Sequence, residues 1–303
     1  MVIYSSRLPL RECFFSFFFP PCLKNSSVAV IICFRKLCRV GGGKQLITRE
    51  DLKIMKFSEL LSKCGVKPTD TVTVSSVLNS EAEAVLDDLL EDLTGFLAPG
   101  MLIMPVGKNP DTQVPNGIFD PRNSVSGEGM LSEKFRKMPD VVRSLHPTGS
   151  LAVRGKNAEE LAAGHEMCIS CYSAASPWWR IFQRSGKYVL IDCGLEAAAI
   201  IAAAEEWAGA AALSKRFLHR RIVLENGKRR RVKIKVHTGR HFFNYPRIED
   251  ELQRSGFLSK GTWEQHRVIV LDIAESVNFI LQRLARKKRF FAARRKGVYL
   301  KKS

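Results

Sequence analysis

"DTVTVSSVLNSEAEAVLDDLLEDLTGFLAPGMLIMPV", residues 70–106, decides the fold class. The stretch opens with a strand-like run that ends in two serines. It continues as an amphipathic helix stopped by Ala-Pro-Gly and closes with a continuous apolar strand. A strand, a helix and a second strand in this order predict a parallel pair of strands joined by a right-handed crossover.

The same alternation continues toward the C-terminus. "SLAVRG" (150–155) and "GKYVLIDCG" (186–194) are strand patterns, and a helical pattern follows each of them. "RIVLENGKRRRVKIKVHTG" (221–239) contains Asn-Gly between two strand-like runs, which predicts a β-hairpin. We therefore expect an α/β fold: a three-layer α/β/α sandwich with a mostly parallel central sheet and an antiparallel edge or hairpin. Residues 107–127, rich in Gly, Pro, Asn, Asp and Ser, predict a long functional loop.

Both ends of the chain differ from its middle. Residues 1–54 hold nine Lys/Arg against three Asp/Glu, and residues 283–303 hold ten Lys/Arg and no acid, within a total net charge of +18. We expect an N-terminal extension (1–43) that is non-native or disordered, a domain (44–285) and a basic tail (286–303). The apolar runs of the extension are too short to span a bilayer and lack a signal-peptide cleavage pattern, so we expect the true start near Val40 or at Met55.

The eight cysteines show no disulfide framework. Cys168 and Cys171 form a lone C-x-x-C, and a zinc site would need a second pair of ligands at metal-binding spacing. We therefore expect reduced thiols and no metal site.

A dense motif runs from residue 119 to residue 165. It contains Phe-Asp-Pro, a short helix ending in proline, the pattern R-S-x-H-P-x-x-S, then G-x-x-A-x-x-L and a histidine. The matching residues are Phe119, Asp120, Pro121, Phe135, Pro139, Arg143, Ser144, His146, Pro147, Ser150, Gly155, Ala158, Leu161 and His165. This pattern resembles the aminoglycoside 3-N-acetyltransferases, a family distinct from the Gcn5-related acetyltransferases, and weaker matches extend the resemblance over about residues 46–285.

The chain departs from the family pattern at two places. Ser75 stands where the family carries a histidine after its first long strand. In the helix "GLEAAAIIAAAEE" (194–206), Ala202 stands where the family carries a histidine one turn before a glutamate. The resemblance makes that histidine and glutamate part of the family's active site, so their partial loss puts the usual catalysis in question.

The resemblance implies a general base and acidic contacts to the substrate. His146 precedes Pro147, which stiffens the turn, and an imidazole suits proton removal near neutral pH. We expect His146 outside the core as the base; the alternative is a histidine that only hydrogen-bonds a loop. Glu205 would orient the base or bind a cationic substrate, with Asp120 and Glu206 as further substrate carboxylates. The alternative is that the two glutamates face solvent.

The coenzyme contacts are less specific. Ser75 and Ser76 end a strand before a helix, where hydroxyls and backbone N–H groups meet phosphate, although a plain turn fits equally well. Arg143 is a candidate for coenzyme phosphate or a surface ion pair, and Ser144 and Ser150 of the same motif complete the set.

The resemblance predicts a cytoplasmic N-acetyltransferase that uses acetyl-coenzyme A and acts on an aminoglycoside-like amine, as in antibiotic resistance. A homodimer is the assembly that we consider, with no membrane span and no specific nucleic-acid partner. The first rival is a degenerate relative that binds coenzyme A without turnover. The second is a nucleic-acid or membrane-surface binder that works through the basic ends, although the residues between them are nearly neutral in sum.

Overall fold

The structure is a computed structural model that describes residues 39–40, 43–44, 55–78, 81–107, 117–238, 244–288 and 290. The chain divides into two compact units, residues 1–54 and 55–303. In the first unit, β1 (Arg39–Val40) pairs antiparallel with β2 (Gly43–Lys44). The rest of the predicted extension lies outside the described residues.

The second unit contains seven strands in its main sheet, one further three-stranded sheet and eight α-helices within the described residues. The helices are α1 (Phe57–Lys63), α2 (Glu83–Phe96), α3 (Met130–Phe135), α4 (Ala158–Ala162), α5 (Pro177–Gln183), α6 (Ala199–Trp207), α7 (Tyr245–Arg254) and α8 (Ile273–Arg286). The strands are β3 (Thr71–Ser76), β4 (Met101–Pro105), β5 (Ile118–Phe119), β6 (Val142–Arg143), β7 (Leu151–Gly155), β8 (Lys187–Ile191), β9 (Leu218–Val223), β10 (Arg229–Ile234), β11 (Leu258–Trp263) and β12 (His266–Asp272).

The crossover predicted from residues 70–106 is confirmed. β3 and β4 pair in parallel, with Thr71 opposite Met101, and α2 connects them. The buried residues of α2 recur at helical spacing and are Leu86, Leu89, Leu90 and Leu93. A stripe of this kind fixes one face of the helix against the sheet.

The main sheet has the strand order β11-β12-β8-β3-β4-β7-β6. The expectation of a mostly parallel sheet is wrong, because only β3–β4 and β3–β8 are parallel and the other four neighbouring pairs are antiparallel. Two residues, Glu264 and Gln265, join β11 to β12, and a connection that short permits only an antiparallel pair.

Helices cover both faces of this sheet, so the three-layer prediction is confirmed. Alternate residues of each strand point to opposite faces. Accordingly, Leu190 belongs to the core that packs against α4–α8, whereas Val189 and Ile191 belong to the core beneath α1–α3. The first core also encloses Trp178, which is 1% exposed.

The Asn226-Gly227 hairpin is confirmed, with β9 and β10 antiparallel. It does not extend the edge of the main sheet. β9 pairs with β5 instead, and the small separate sheet closes over a core of Phe119, Ile222, Val232 and Ile234. Because that core needs apolar residues on one face only, the alternating polar residues turn outward.

The outward face of the hairpin is basic. Arg221 lies opposite Arg231, and His219 lies opposite Lys233, with all four exposed. Like charges placed directly opposite each other on a sheet destabilise the pairing. No salt bridge within the described residues offsets the charge of Arg221, Arg231 or Lys233.

The last helix, α8, overlaps the predicted basic tail. Leu284 is 1% exposed and belongs to the core, so the folded part of the chain extends through the end of α8. Tail residues 291–303 lie outside the described residues. No helix among those described is long and apolar enough to cross a membrane.

Candidate active site

His146 lies inside the protein, contrary to the expectation that it stands outside the core. It is 0% exposed, and its ring packs 4.7 Å from that of His165. Its Nδ1 accepts a hydrogen bond from the Thr148 backbone at 3.3 Å, while Nε2 is enclosed without a partner among the described residues. Burial, together with the neighbouring His165, lowers the pKa of His146 well below its usual range.

His165 is equally enclosed. Its Nε2 donates to the Cys171 carbonyl at 3.1 Å, and its Nδ1 accepts from the Ser144 hydroxyl at 2.8 Å. Ser144 in turn accepts from the backbone N–H of Leu151 at 2.8 Å. Burial lowers the pKa of His165 to about 3. Both nitrogens of the neutral His165 ring thus have hydrogen-bond partners. These bonds join the turn of residues 146–150 (HPTGS) to the segment that carries Cys171.

Arg143 ties a loop to the sheet. Its guanidinium donates to the carbonyls of Pro121 and Val106 at 3.3 Å each and to the Ser150 hydroxyl at 3.1 Å. It also donates to the Ser124 carbonyl. The group stacks 5.0 Å from the centre of the Phe119 ring. Burial, with a smaller contribution from Arg136, lowers its pKa to about 10.

The predicted coenzyme contacts do not form a common open surface. The Ser75 hydroxyl is buried against the Tyr188 hydroxyl at 2.9 Å. Ser144, Ser150 and Arg143 are engaged in the contacts just described. Ser76, partly exposed at the end of β3, is the one predicted contact of the five whose side chain is not engaged by the described residues. Phosphate binding by the other four stays a prediction that their geometry does not favour.

Glu205 and Glu206 lie in the last turn of α6. Glu205 is 6% exposed, and burial raises its pKa to about 7, an effect that the nearby His237 partly opposes. Glu206 accepts from the Ser170 hydroxyl at 2.6 Å and from His237 Nε2 at 2.7 Å. The alternative in which both glutamates simply face solvent is therefore wrong.

Replacement of Glu205 by glutamine is expected to stabilise the protein at alkaline pH. The carboxyl of Glu205 titrates at about 7 when folded and at 4.5 when unfolded, so its contribution to stability is present below pH 4.5 and is lost as the pH rises to 7. Glutamine does not titrate. Relative to wild type, the free energy of unfolding of Glu205→Gln should rise by about 2–3 kcal/mol between pH 4.5 and 8.

Urea denaturation at several pH values measures this difference. Glu91→Gln, on an exposed position of α2, is the matched control. If the free energies of unfolding of Glu205→Gln and wild type differ by the same amount at every pH, the pKa of the Glu205 carboxyl is not raised by folding.

Further carboxylates lie near the α6 pair. Burial raises the pKa of Tyr172, and the carboxylates of Glu128 and Glu206 raise it further. Burial likewise raises the pKa of Tyr245, which lies within reach of Glu205 and Glu196. Glu205 and Glu206 are neighbours on α6, and Glu128 and Glu196 act on the tyrosines beside them; we call these four residues the carboxylate cluster, and their charge would attract a cation.

Asp120 is occupied within its own turn. It accepts from the backbone of Arg122 at 2.9 Å and from the Asn123 amide at 2.9 Å. Burial, which raises the pKa of Asp120, is outweighed by these hydrogen bonds, so the pKa is lowered. Its contact with a substrate stays a prediction.

Sequence reasoning missed His237, Ser170 and Glu128. His237 lies 31 residues beyond Glu206, and Ser170 lies 36 residues before it, so no local spacing links them. The one signal in the sequence that could have identified His237 is its position directly after a predicted strand. No group of three or more His, Cys, Asp or Glu side chains suited to a metal occurs among the residues that the structure describes.

Comparison with known proteins identifies the family. Residues 74–285 match the family model described as aminoglycoside 3-N-acetyltransferase. The chain belongs to this family. It is 31% identical over 144 residues to aminoglycoside N(3)-acetyltransferase IV from Salmonella sp, which covers 45% of the chain and 52% of that relative. The chain thus spans about half the length of this curated aminoglycoside acetyltransferase.

Solved structures of aminoglycoside acetyltransferases share the fold. The AAC(3)-IVa apoenzyme is 25% identical, with a TM-score of 0.65 over 77% of this chain and 88% of that one. A histidine-to-alanine mutant of AAC(3)-IVa in complex with a gentamicin is 26% identical, with a TM-score of 0.65 over 76% of this chain and 87% of that one. AAC-IIIb, solved with CoASH, is 19% identical with a TM-score of 0.66 over 79% of this chain and 97% of that one, a likeness of fold alone.

Proposed function

We propose that the protein transfers an acetyl group from acetyl-coenzyme A to an amino group of an aminoglycoside-like polycation. The carboxylate cluster carries this proposal. Glu205 and Glu206 are adjacent on α6, Glu128 acts on Tyr172 and Glu196 acts on Tyr245, and burial raises the pKa of Glu205 to about 7. A carboxyl that titrates near neutrality can take up a proton from an ammonium group, and its neighbours can hold the remaining cationic groups.

The reaction joins the acceptor nitrogen to the acyl carbon and breaks the bond from that carbon to sulfur. The acceptor must first lose a proton, since an ammonium group has no lone pair. The proton passes to a basic group of the site, and the departing thiolate takes up a proton in turn. The family membership and the CoASH complex of AAC-IIIb support a coenzyme A thioester as the donor. Among the five residues that the sequence predicts to contact coenzyme A, Ser76 is the one whose side chain is not engaged by other described residues.

The role of His146 changes in this proposal. An imidazole that is 0% exposed cannot meet an incoming amine without a rearrangement of the loop. We assign His146, Ser144 and Arg143 to positioning: they hold the Phe-Asp-Pro loop and the HPTGS turn beside the sheet. Cytoplasmic location and a homodimer remain parts of the proposal, the latter measurable by sedimentation.

A thiol-release assay with acetyl-coenzyme A across a panel of aminoglycosides tests the proposed function, using the full chain. We expect turnover with at least one member and its loss, by about 10²–10⁴-fold, in Glu205→Gln. Turnover that is equal in the two proteins would remove Glu205 from the chemistry. Coenzyme A binding by calorimetry without turnover on any acceptor would favour the degenerate relative, which the alanine at position 202 motivates.

The hairpin favours a second candidate function, nonspecific binding of nucleic acid. Residues 215–235 hold ten Lys/Arg and one Glu, whereas the other residues of 55–282 hold nineteen Lys/Arg and 26 Asp/Glu. The near-neutral middle of the chain is therefore a sum of two opposite regions. Two-stranded ribbons of this kind fit the major groove of a duplex.

The double variant Arg221→Glu/Arg231→Glu should weaken binding to duplex DNA and flatten its dependence on salt concentration. Phosphate contacts release counterions, so each lost contact lowers the slope of log K against log salt by about 0.9. Fluorescence anisotropy at several salt concentrations measures the affinity and its salt dependence. Arg254→Glu, at an exposed position outside the hairpin, is the control. If deletion of residues 291–303 weakens DNA binding and the hairpin variant does not, the tail alone binds the DNA.

A further inference from the structure

His237 differs from the other described histidines. His146 and His165 are enclosed, and His266 is held between Asp192 at 2.6 Å and Glu81 at 3.7 Å with its side chain 4% exposed. His219 stands on the outward face of the hairpin with no carboxylate partner among the described residues. His237 combines an orienting carboxylate with access to solvent, because its side chain is 20% exposed.

The ring of His237 is fixed on two sides. Nε2 donates to Glu206 at 2.7 Å, and Glu206 is itself held by the Ser170 hydroxyl at 2.6 Å. The ring of Tyr172 meets the imidazole edge-on, 5.0 Å between centres. Nδ1 has no hydrogen-bond partner among the described residues and is not among their enclosed, unsatisfied polar atoms. An imidazole with one nitrogen anchored on a carboxylate and the other open has the geometry of a positioned general base.

The helix that supplies Glu205 and Glu206 carries no imidazole of its own. Ala202, one helical turn before Glu206, contributes a methyl group. We propose that His237, delivered from the end of β10, is the general base of the site and that Glu206 is its positioning residue. The role rests on the proposed function, since it needs an amine acceptor beside the carboxylate cluster.

His237 carries the proton during transfer of the acetyl group. The neutral acceptor amine attacks the thioester carbonyl carbon, and a nitrogen–carbon bond forms. The proton on nitrogen moves to Nδ1 of His237, and the resulting imidazolium is stabilised by Glu206. The carbon–sulfur bond breaks, and the proton on Nδ1 passes to the thiolate sulfur. The imidazole is thereby restored to its neutral form, and no oxidant or further reactant is required.

His237→Ala in the full chain tests the role, with His219→Ala as the matched control. We expect kcat to fall by about 10²–10⁴-fold in His237→Ala, with little change in KM for either substrate, and no change in His219→Ala. Glu206→Gln should give a smaller loss of kcat because the imidazole keeps its nitrogen but loses its orientation. Ala202→His placed in the His237→Ala background should restore part of kcat, since it returns an imidazole to the neighbourhood of the glutamates.

Carbethoxylation of histidine, read by peptide mass spectrometry, gives a readout that does not depend on turnover. We expect His237 and His219 to react in the wild-type protein and gentamicin to protect His237 only. Turnover in His237→Ala equal to wild type, or reaction of His237 that gentamicin does not slow, would overturn the base role while leaving the acetyltransferase proposal in place. Absence of turnover in the wild-type protein would remove the proposed function and the base role together.

Discussion

Arg143→Ala should lower the free energy of unfolding by about 3–5 kcal/mol, the largest effect on stability that we expect from a single substitution. The guanidinium donates to three backbone carbonyls, of Val106, Pro121 and Ser124, and to the hydroxyl of Ser150. Alanine leaves these acceptors partly enclosed without a donor, and each unsatisfied acceptor costs about 1–3 kcal/mol before water or relaxation reduces the loss.

Guanidine denaturation measures this effect, and two further variants sharpen it. Arg143→Lys keeps a positive charge but offers one ammonium in place of a planar fork, so it should recover only part of the stability. Arg184→Ala, which breaks an exposed pair with Glu160 at 3.4 Å, should cost between zero and about 1 kcal/mol. Normal stability of Arg143→Ala combined with lost coenzyme A affinity would instead support the phosphate contact that the sequence suggested.

His146→Ala should also destabilise the protein, by about 2–4 kcal/mol, because truncation of a fully buried ring leaves a cavity. The cavity would adjoin the His165 ring, and the Thr148 backbone N–H would lose its acceptor. Activity should fall together with the melting temperature and should recover at lower temperature, where the variant is folded.

Thermal melts and turnover assays on the same samples separate the two roles of His146. His146→Asn, which is smaller but can still accept from Thr148, should lie between alanine and wild type in stability. An unchanged melting temperature with turnover reduced by about 10²–10⁴-fold would reinstate His146 as the base.

Local patterns predicted the local structure well. The leucine spacing of α2 and the Asn226-Gly227 turn each specify a conformation through neighbours in sequence, and both are confirmed. The direction of β7 was not predictable in this way. It depends on which edge of the sheet the chain reaches between β4 and β7, which is a matter of tertiary packing.

The site was only partly predictable for the same reason. Glu205 and Glu206 stood out as charges on an otherwise apolar helix, and burial of such a group requires compensation. The ring of His146 packs against His165, which lies on a different element, and the partner of Glu206 is 31 residues away in sequence. Contacts between residues far apart in the chain have no characteristic spacing in a single sequence. A family motif identifies residues but does not indicate whether their side chains face the ligand or the core.

The outward face of the hairpin has a consequence for how substrates arrive. Its opposed arginines concentrate positive charge on one face, whereas the other residues of 55–282 hold 26 Asp/Glu against nineteen Lys/Arg. A polycationic antibiotic that diffuses toward the protein would be repelled by the outward face of the hairpin, so productive encounters would avoid that face. Because mobile ions shorten the range of this repulsion, the association rate constant should rise as salt is added, even where the equilibrium contacts of the site stay the same.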